Sequence, residues 1–170
     1  MEQILLVDGY NMIGAWPELK RYKNNDLSQA RDILVEWLAD YQGYTGFKVI
    51  VVFDAHFVQG IGKKYRNYNV DVLYTREKET ADERIEKLAI ELTNIRTEVH
   101  VATSDFTEQW VIFAQGALRK SARELHTEIK LIQNRISRRA KKISDEKPLS
   151  KIDIPTEVAE IFEKWRRGDS

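Results

Sequence analysis

Four aspartates stand where the chain leaves, or is about to leave, an apolar run. Asp8 follows Ile4-Leu5-Leu6-Val7, Asp54 follows Val49-Ile50-Val51-Val52-Phe53, and Asp105 closes the Thr103-Ser104-Asp105 step after the run that begins at Val99. Asp82 lies in the first turn of a helix that follows Val70-Asp71-Val72-Leu73-Tyr74. Short runs that are apolar at every position read as strands buried on both faces of a parallel sheet. Right-handed crossovers put the carboxyl ends of such strands on one edge, where ligands bind. The four acids are therefore expected to converge. Carboxylates held close together push one another's pKa values up and apart, and a divalent cation relieves that repulsion. Mg²⁺ or Mn²⁺ prefers carboxylate and water ligands and leaves positions for phosphate oxygens. The expected chemistry is phosphoryl transfer with one or two such ions. Strand-end aspartates also cap turns and helices, so each acid alone carries a bland explanation beside the chemical one. In Asp8-Gly9-Tyr10-Asn11, Gly9 lets the backbone turn away sharply, and the Asn11 amide is placed to orient Asp8, a water or a phosphate.

Those acids need a frame. Besides the two central strands, Val70 to Tyr74 and Val99 to Thr103 alternate in part, as strands nearer an edge do. Ala30, Ile33, Leu34, Trp37, Leu38 and Tyr41 recur at the helical period, with Ser28 or Asp26 as N-cap and Gly43 as stop. Thr80-Ala81-Asp82-Glu83 is a capping box for a helix with Ile85, Leu88, Ala89, Leu92 and Ile95 on its apolar stripe. A short helix is expected from Asp105 to near Gly116, then a brief strand at Ala117 to Arg119. Ser121-Ala122-Arg123-Glu124 opens a helix with Leu125, Ile129, Ile132, Ile136 and Ile143 on a narrow stripe, closed by Pro148. A last helix runs from Pro155 to Gly168. Strand, helix, strand is the α/β pattern. Residues 1–143 read as one domain, and residues 144–170 as a helical extension docked on it.

Composition removes several classes of function. The 170 residues carry 27 Lys and Arg against 27 Asp and Glu, so bulk charge announces no nucleic-acid partner and any basic surface must be local. With no cysteine, disulfide frameworks, thiolate metal sites and cysteine nucleophiles are excluded. The longest apolar runs are five residues each, against the roughly 18 that span a bilayer. Met1-Glu2-Gln3 leads directly into an apolar run without a basic leader or small-residue cleavage site, so a cytoplasmic location is expected.

Taken in order, Val7-Asp8-Gly9-Tyr10-Asn11, Val52-Phe53-Asp54-Ala55, Thr80-Ala81-Asp82 and Ala102-Thr103-Ser104-Asp105-Phe106 resemble the NYN domains, which are PIN-like nucleases. The resemblance is closest to the bacterial YacP-type group, whose members run to nearly this length. It implies a PIN-like three-layer α/β fold, with a central, mostly parallel sheet flanked by helices and a C-terminal helical extension. It also implies a metal-dependent endoribonuclease that cleaves messenger RNA on the ribosome, in the decoding site. By position, Asp8, Asp82 and Asp105 match the family's metal-binding carboxylates, and Asn11 and Asp54 match its accessory polar positions. Many relatives carry a further acid just after the equivalent of Asp105. Here Phe106 and Thr107 follow, and Glu108 is the nearest carboxylate, so one ion or two remain open.

Charge is segregated along the chain. Arg119, Lys120, Arg123, Lys130, Arg135, Arg138, Arg139, Lys141 and Lys142 face only Glu124 and Glu128, a net of nine minus two, or plus seven. Such a segment suits phosphate-backbone binding, because each neutralised phosphate releases counterions, although charged helix faces are often merely solvated. Gln59 to Asn69 mixes glycines and tyrosines with Lys63, Lys64 and Arg66, a composition that fits stacking on unpaired bases or an ordinary surface loop. His100 and His126 read as structural or surface residues, and His56 alone is placed for chemistry. A metal-dependent phosphatase acting on small molecules is a further alternative, but no phosphate-cradling glycine loop is present, and no nucleotide cofactor is expected. A receiver-domain reading fails because Gly9 stands where a second acid is needed. The competing reading from another class is a non-catalytic RNA or ribosome adaptor.

Overall fold

The computed structural model describes residues 1–55, 69–104, 113, 115–146 and 166. Five strands, β1 (Glu2–Asp8), β2 (Lys48–Phe53), β3 (Asp71–Tyr74), β4 (Thr97–Ala102) and β5 (Leu118–Lys120), form one sheet in the order β3-β2-β1-β4-β5. Every neighbouring pair is parallel. The two runs without a polar position occupy the middle of the sheet, as their burial on both faces requires. The brief strand expected at Ala117 to Arg119 forms as β5, one residue later.

Side-chain alternation sorts the core into two layers. Leu5 and Val7 of β1, with Val49, Val51 and Phe53 of β2, face one side, where they meet α1 (Gly9–Ala15), α2 (Pro17–Lys20), α3 (Leu27–Thr45) and the start of α5 (Ala122–Glu146). Ile4, Leu6, Ile50, Val52, Val99 and Val101 face the other side, where Ile85 and Ala89 of α4 (Ala81–Leu92) cover them. A strand alternates its side chains with a period of two, so two covered faces demand the unbroken apolar runs seen in the sequence. Each fully buried Leu, Ile or Phe contributes roughly 1.5–3 kcal/mol relative to exposure.

Helix ends follow their chemistry. Asp26 caps α3 by accepting from the Gln29 N–H at 3.0 Å, and α3 runs past Gly43 to Gly46, whose φ of 80° makes the left-handed stop. Gly43 therefore sits inside the helix and not at its end, because only Gly46 adopts the conformation that a C-terminal glycine supplies. Thr80 caps α4, accepting from the Glu83 N–H at 3.2 Å, and α4 stops at Leu92. Ile95 lies beyond it and is 94% exposed, so the apolar stripe ends at Leu92, one member short of the expected set. Ser121 caps α5, accepting from the Glu124 N–H at 3.0 Å.

The chain divides into two compact units, Met1–Ile132 and Gln133–Ser170, and the division falls within α5. In the first unit Leu125, Ile129 and Ile132 of α5 are buried; in the second, Ile136 and Ile143 are exposed. The helices expected from Asp105 to Gly116 and from Pro155 to Gly168 lie outside the described residues, apart from single positions. One feature was absent from the sequence expectations altogether: the segment after β1 forms two short helices, α1 and α2, in place of a bare turn.

Candidate active site

A cleft of about 620 Å³ opens at the carboxyl edge of the sheet. Asp8 enters it from the end of β1, Asp54 from the end of β2 and Asp82 from the first turn of α4, with Asn11, Tyr10, Lys23 and Ser104 completing much of the wall. Each acid is fixed by its own local device. Asp8 is the N-cap of α1, its Oδ1 accepting from the Asn11 N–H at 3.4 Å. Next to Asp54, the Ala55 N–H donates to Thr75 Oγ1 at 2.9 Å, while the Thr75 N–H donates to the Phe53 carbonyl at 3.0 Å. Thr75 is buried, so it locks the end of β2 to the end of β3. The capping threonine of α4 places Asp82 at the same edge.

Asn11 ties two strand ends together. Its Oδ1 accepts from the Ser104 N–H at 2.8 Å, which joins the start of α1 to the residues just past β4. With its carbonyl engaged, the Asn11 amide N–H groups are the donors left for the cleft. Gly9 has a different role from the sharp turn that the sequence suggested. It is the first residue of α1, and a Cβ there would fall within the Phe53 ring. The glycine lets that ring pack under the helix start. Phe53 in turn stacks on Tyr74 with centroids 5.9 Å apart and meets Tyr10 at 5.1 Å. The Tyr10 hydroxyl accepts from Arg31 Nη1 at 3.1 Å.

The acids act on one another. Burial pushes the Asp8 carboxyl up to about 7, with further upward pressure from the Asp82 charge, a side-chain hydrogen bond with Asp82 and the Asp54 charge; the Asn11 N–H pulls the other way. Asp8 therefore holds its proton more tightly than a free carboxyl does and shares a hydrogen bond with a second carboxyl. Burial comes first among the causes, and the neighbouring carboxylates act in the same direction. Burial also raises the Tyr10 phenol, and the Arg31 guanidinium opposes this.

The sequence profile of the YacP-like NYN domain matches residues 5–167. The chain belongs to the YacP-like NYN domain family. It is 64% identical over 166 residues to a protein of Bacillus subtilis (strain 168) carried under the name "Uncharacterized protein YacP", covering 98% of either chain. The crystal structure of Rae1 (YacP) from Bacillus subtilis superposes with a TM-score of 0.78 at 64% identity, over 98% of this chain and 95% of that one. A second crystal structure, of a tryptophan-to-leucine mutant of Rae1 (YacP), gives a TM-score of 0.75 at 58% identity, over 99% and 97%. Membership of the YacP-like NYN family suggests a nuclease-type role.

Within this YacP-like NYN domain, Asp8, Asn11, Asp54 and Asp82 share one cleft, while Asp105 lies outside the described residues. Among the described residues no group of three or more His, Cys, Asp or Glu is arranged to hold a metal ion. The Asp8 and Asp82 pair fits a hard divalent ion nonetheless: both are oxygen donors, one or two carboxylates is the usual number per Mg²⁺, and their shared hydrogen bond marks charge that a cation would balance. Lys63, Lys64 and Arg66 also lie outside the described residues. Arg119, Arg123, Arg135, Arg138, Arg139, Lys141 and Lys142 are exposed. Lys120 departs from them. Its side chain is only 13% exposed and its ammonium donates to both Glu128 oxygens, at 2.6 and 2.8 Å, beside Tyr41. A cation engaged that way holds β5 to α5.

The histidines border no part of the cleft among the described residues. His100 Nε2 meets Glu98 Oε1 at 2.6 Å under the Phe47 ring, and His126 Nε2 meets Glu18 Oε2 at 2.8 Å beside Trp16. His56 is outside the described residues. Sequence reasoning missed Lys23, Tyr10 and Thr80 as cleft residues. For Lys23 the available signal was faint: a cation in the stretch between the first strand and the first long helix, which must pass over the carboxyl edge. Among the described residues, no helix is long and apolar enough to cross a membrane.

Proposed function

We propose that this chain is a metal-dependent endoribonuclease that hydrolyses phosphodiester bonds of messenger RNA, acting on the ribosome during translation, in its decoding site. The observation that carries the proposal is the cleft in which Asp8, Asp54 and Asp82 meet at the carboxyl edge of a parallel sheet. Charge that concentrated is unfavourable unless it is used. Membership of the YacP-like NYN family supports the same reading.

Asp8 and Asp82, with Asp105, would hold one or two Mg²⁺ or Mn²⁺ ions. Such an ion supplies, when bound, neutralisation of phosphoryl charge and easier ionisation of water. Asp54, in the same cleft, would be the acceptor that orients an attacking water, and Asn11 would offer its amide N–H groups to that water or to a phosphate oxygen. The Asn11 link to Ser104 keeps this donor in place. Arg119, Arg123, Arg135, Arg138, Arg139, Lys141 and Lys142 supply the charge for RNA or ribosome contact, together with Lys63, Lys64 and Arg66. The expected setting is the cytoplasm, with no nucleotide cofactor and no membrane partner.

The test is cleavage of a translated message in a reconstituted translation reaction, alongside free RNA at matched Mg²⁺. Asp8→Asn preserves the fold and lowers cleavage at least about a hundredfold, the scale of losing one stabiliser of transition-state charge. Undiminished cleavage by that variant would remove the proposal.

A further inference from the structure

Three acids in one cleft create a problem for the proposed substrate. A phosphodiester backbone is itself anionic, and it must enter a site whose walls carry like charge. Metal ions balance charge at the carboxylates, but the flanking phosphates of the strand need a partner of their own. Among the described residues, the wall of the cleft includes one cation, Lys23.

Lys23 is held in place by its surroundings. It belongs to the turn after α2, in which the Lys23 N–H donates to the Lys20 carbonyl at 3.2 Å and the Asp26 N–H to the Tyr22 carbonyl at 2.9 Å. Buried Trp16 and Leu19 anchor that turn to the core. Its neighbour Arg21 is turned aside, donating to the Tyr22 hydroxyl at 2.7 Å and lying over the Tyr22 ring. Lys23 lines the cleft together with Gly14, its ammonium lying 3.5 Å from where a Cβ on Gly14 would stand, an ordinary van der Waals distance. Among the described residues no carboxylate comes within ion-pair distance of it, although Asp8, Asp54 and Asp82 line the same cleft. Lys23 is exposed, sits on a well-anchored turn and lines the wall of the acidic cleft.

We infer that Lys23 is a phosphate subsite: its ammonium binds a non-bridging oxygen of the RNA backbone beside the scissile bond and so sets the strand's register over Asp8, Asp54 and Asp82. This rests on the nuclease reading and adds to it a specific anionic contact. Lys23 is a point charge and not a planar fork, so the contact grips any backbone phosphate and carries no base preference. A lysine that paired with the carboxylates would shift the metal dependence, whereas one that grips phosphate leaves it alone.

The experiment compares wild type, Lys23→Gln and Lys23→Arg in the translated-message assay across a Mg²⁺ series. It also measures binding of a fluorescent single-stranded RNA of about 12 nucleotides to Asp8→Asn with and without Lys23→Gln across a salt series. Lys23 is exposed, so the variants keep the wild-type melting temperature. Lys23→Gln is expected to cut about tenfold more slowly with an unchanged Mg²⁺ midpoint, and Lys23→Arg to restore most of the rate. The slope of log affinity against log salt should fall by about 0.7, the value of one single-strand phosphate contact. Wild-type cleavage by Lys23→Gln, or a wild-type salt slope, overturns the inference and leaves the nuclease reading standing. A shifted Mg²⁺ midpoint, or failure of Lys23→Arg to recover activity, overturns it in favour of a role at the carboxylates. Absence of cleavage by the wild-type chain, on and off the ribosome, refutes the nuclease reading itself, and the inference falls with it.

Discussion

Asp8→Asn should make the metal-free protein more stable, and the gain should depend on pH in one direction. The folded carboxyl titrates at about 7, against 3.8 for an unburied aspartate. A group whose folded pKa is raised adds a contribution that is intact below the unfolded value and is lost as pH rises through the folded one. Wild type therefore loses stability between about pH 4 and about pH 7 on account of Asp8 and loses no more above that. At 1.36 kcal/mol per pKa unit the full effect is about 4 kcal/mol. Relaxation and water entry around a cleft residue reduce this, and about 2 kcal/mol is a fair working value. Asparagine keeps the shape and the cap to the Asn11 N–H but cannot ionise. For a chain of this size 1 kcal/mol moves the melting temperature by roughly 2–4 °C, so the variant should melt about 4–8 °C above wild type at pH 8 in EDTA. At pH 4.5 both side chains are mostly neutral, and the gap should shrink to a degree or two. Thermal melts by circular dichroism at the two pH values measure it. A gap that stays constant, or that widens toward low pH, would refute the assignment of burial and the Asp82 charge as the source of the shift.

Two further predictions concern neighbouring features. Gly9→Ala forces a methyl into the Phe53 ring and should destabilise by about 1–3 kcal/mol, read as a lower denaturation midpoint at unchanged slope. Changing Arg138, Arg139, Lys141 and Lys142 together to Glu should weaken RNA or ribosome binding at least about tenfold near physiological salt and flatten its salt dependence; equal binding across a salt series would put the contact elsewhere.

The frame of the molecule was legible because two simple physical rules write it into the sequence. Burial on both faces forces unbroken apolar runs, which mark β1 and β2, and the carboxyl-edge rule then brings Asp8, Asp54 and Asp82 together from sequence alone. Capping chemistry found the starts of α4 and α5 at Thr80 and Ser121, and for α3 it offered Ser28 or Asp26, of which Asp26 is the cap. What escaped was decided by tertiary contact. Gly9 is a glycine because of the Phe53 ring, not because of a turn, and no local pattern reports a ring that arrives from another strand. Gly43 looked like a stop, yet left-handed geometry fell to Gly46. Lys120 looked like one more cation in a basic stretch until Glu128 and Tyr41 closed around it. Lys23 became part of the cleft only through the turn after α2, a segment with no periodicity to read. Ile136 and Ile143 continued the α5 stripe in sequence, but only the part of the helix up to Ile132 is buried.

The measurement that bears most directly on the account is cleavage of a translated message in a reconstituted translation reaction, with wild type and Asp8→Asn side by side and free RNA at the same Mg²⁺. Cuts made by wild type during translation, and lost at least about a hundredfold in Asp8→Asn, are what a carboxylate cleft working on ribosome-bound messenger RNA predicts. Equal cleavage by the two proteins, or none by wild type on either substrate, would contradict it.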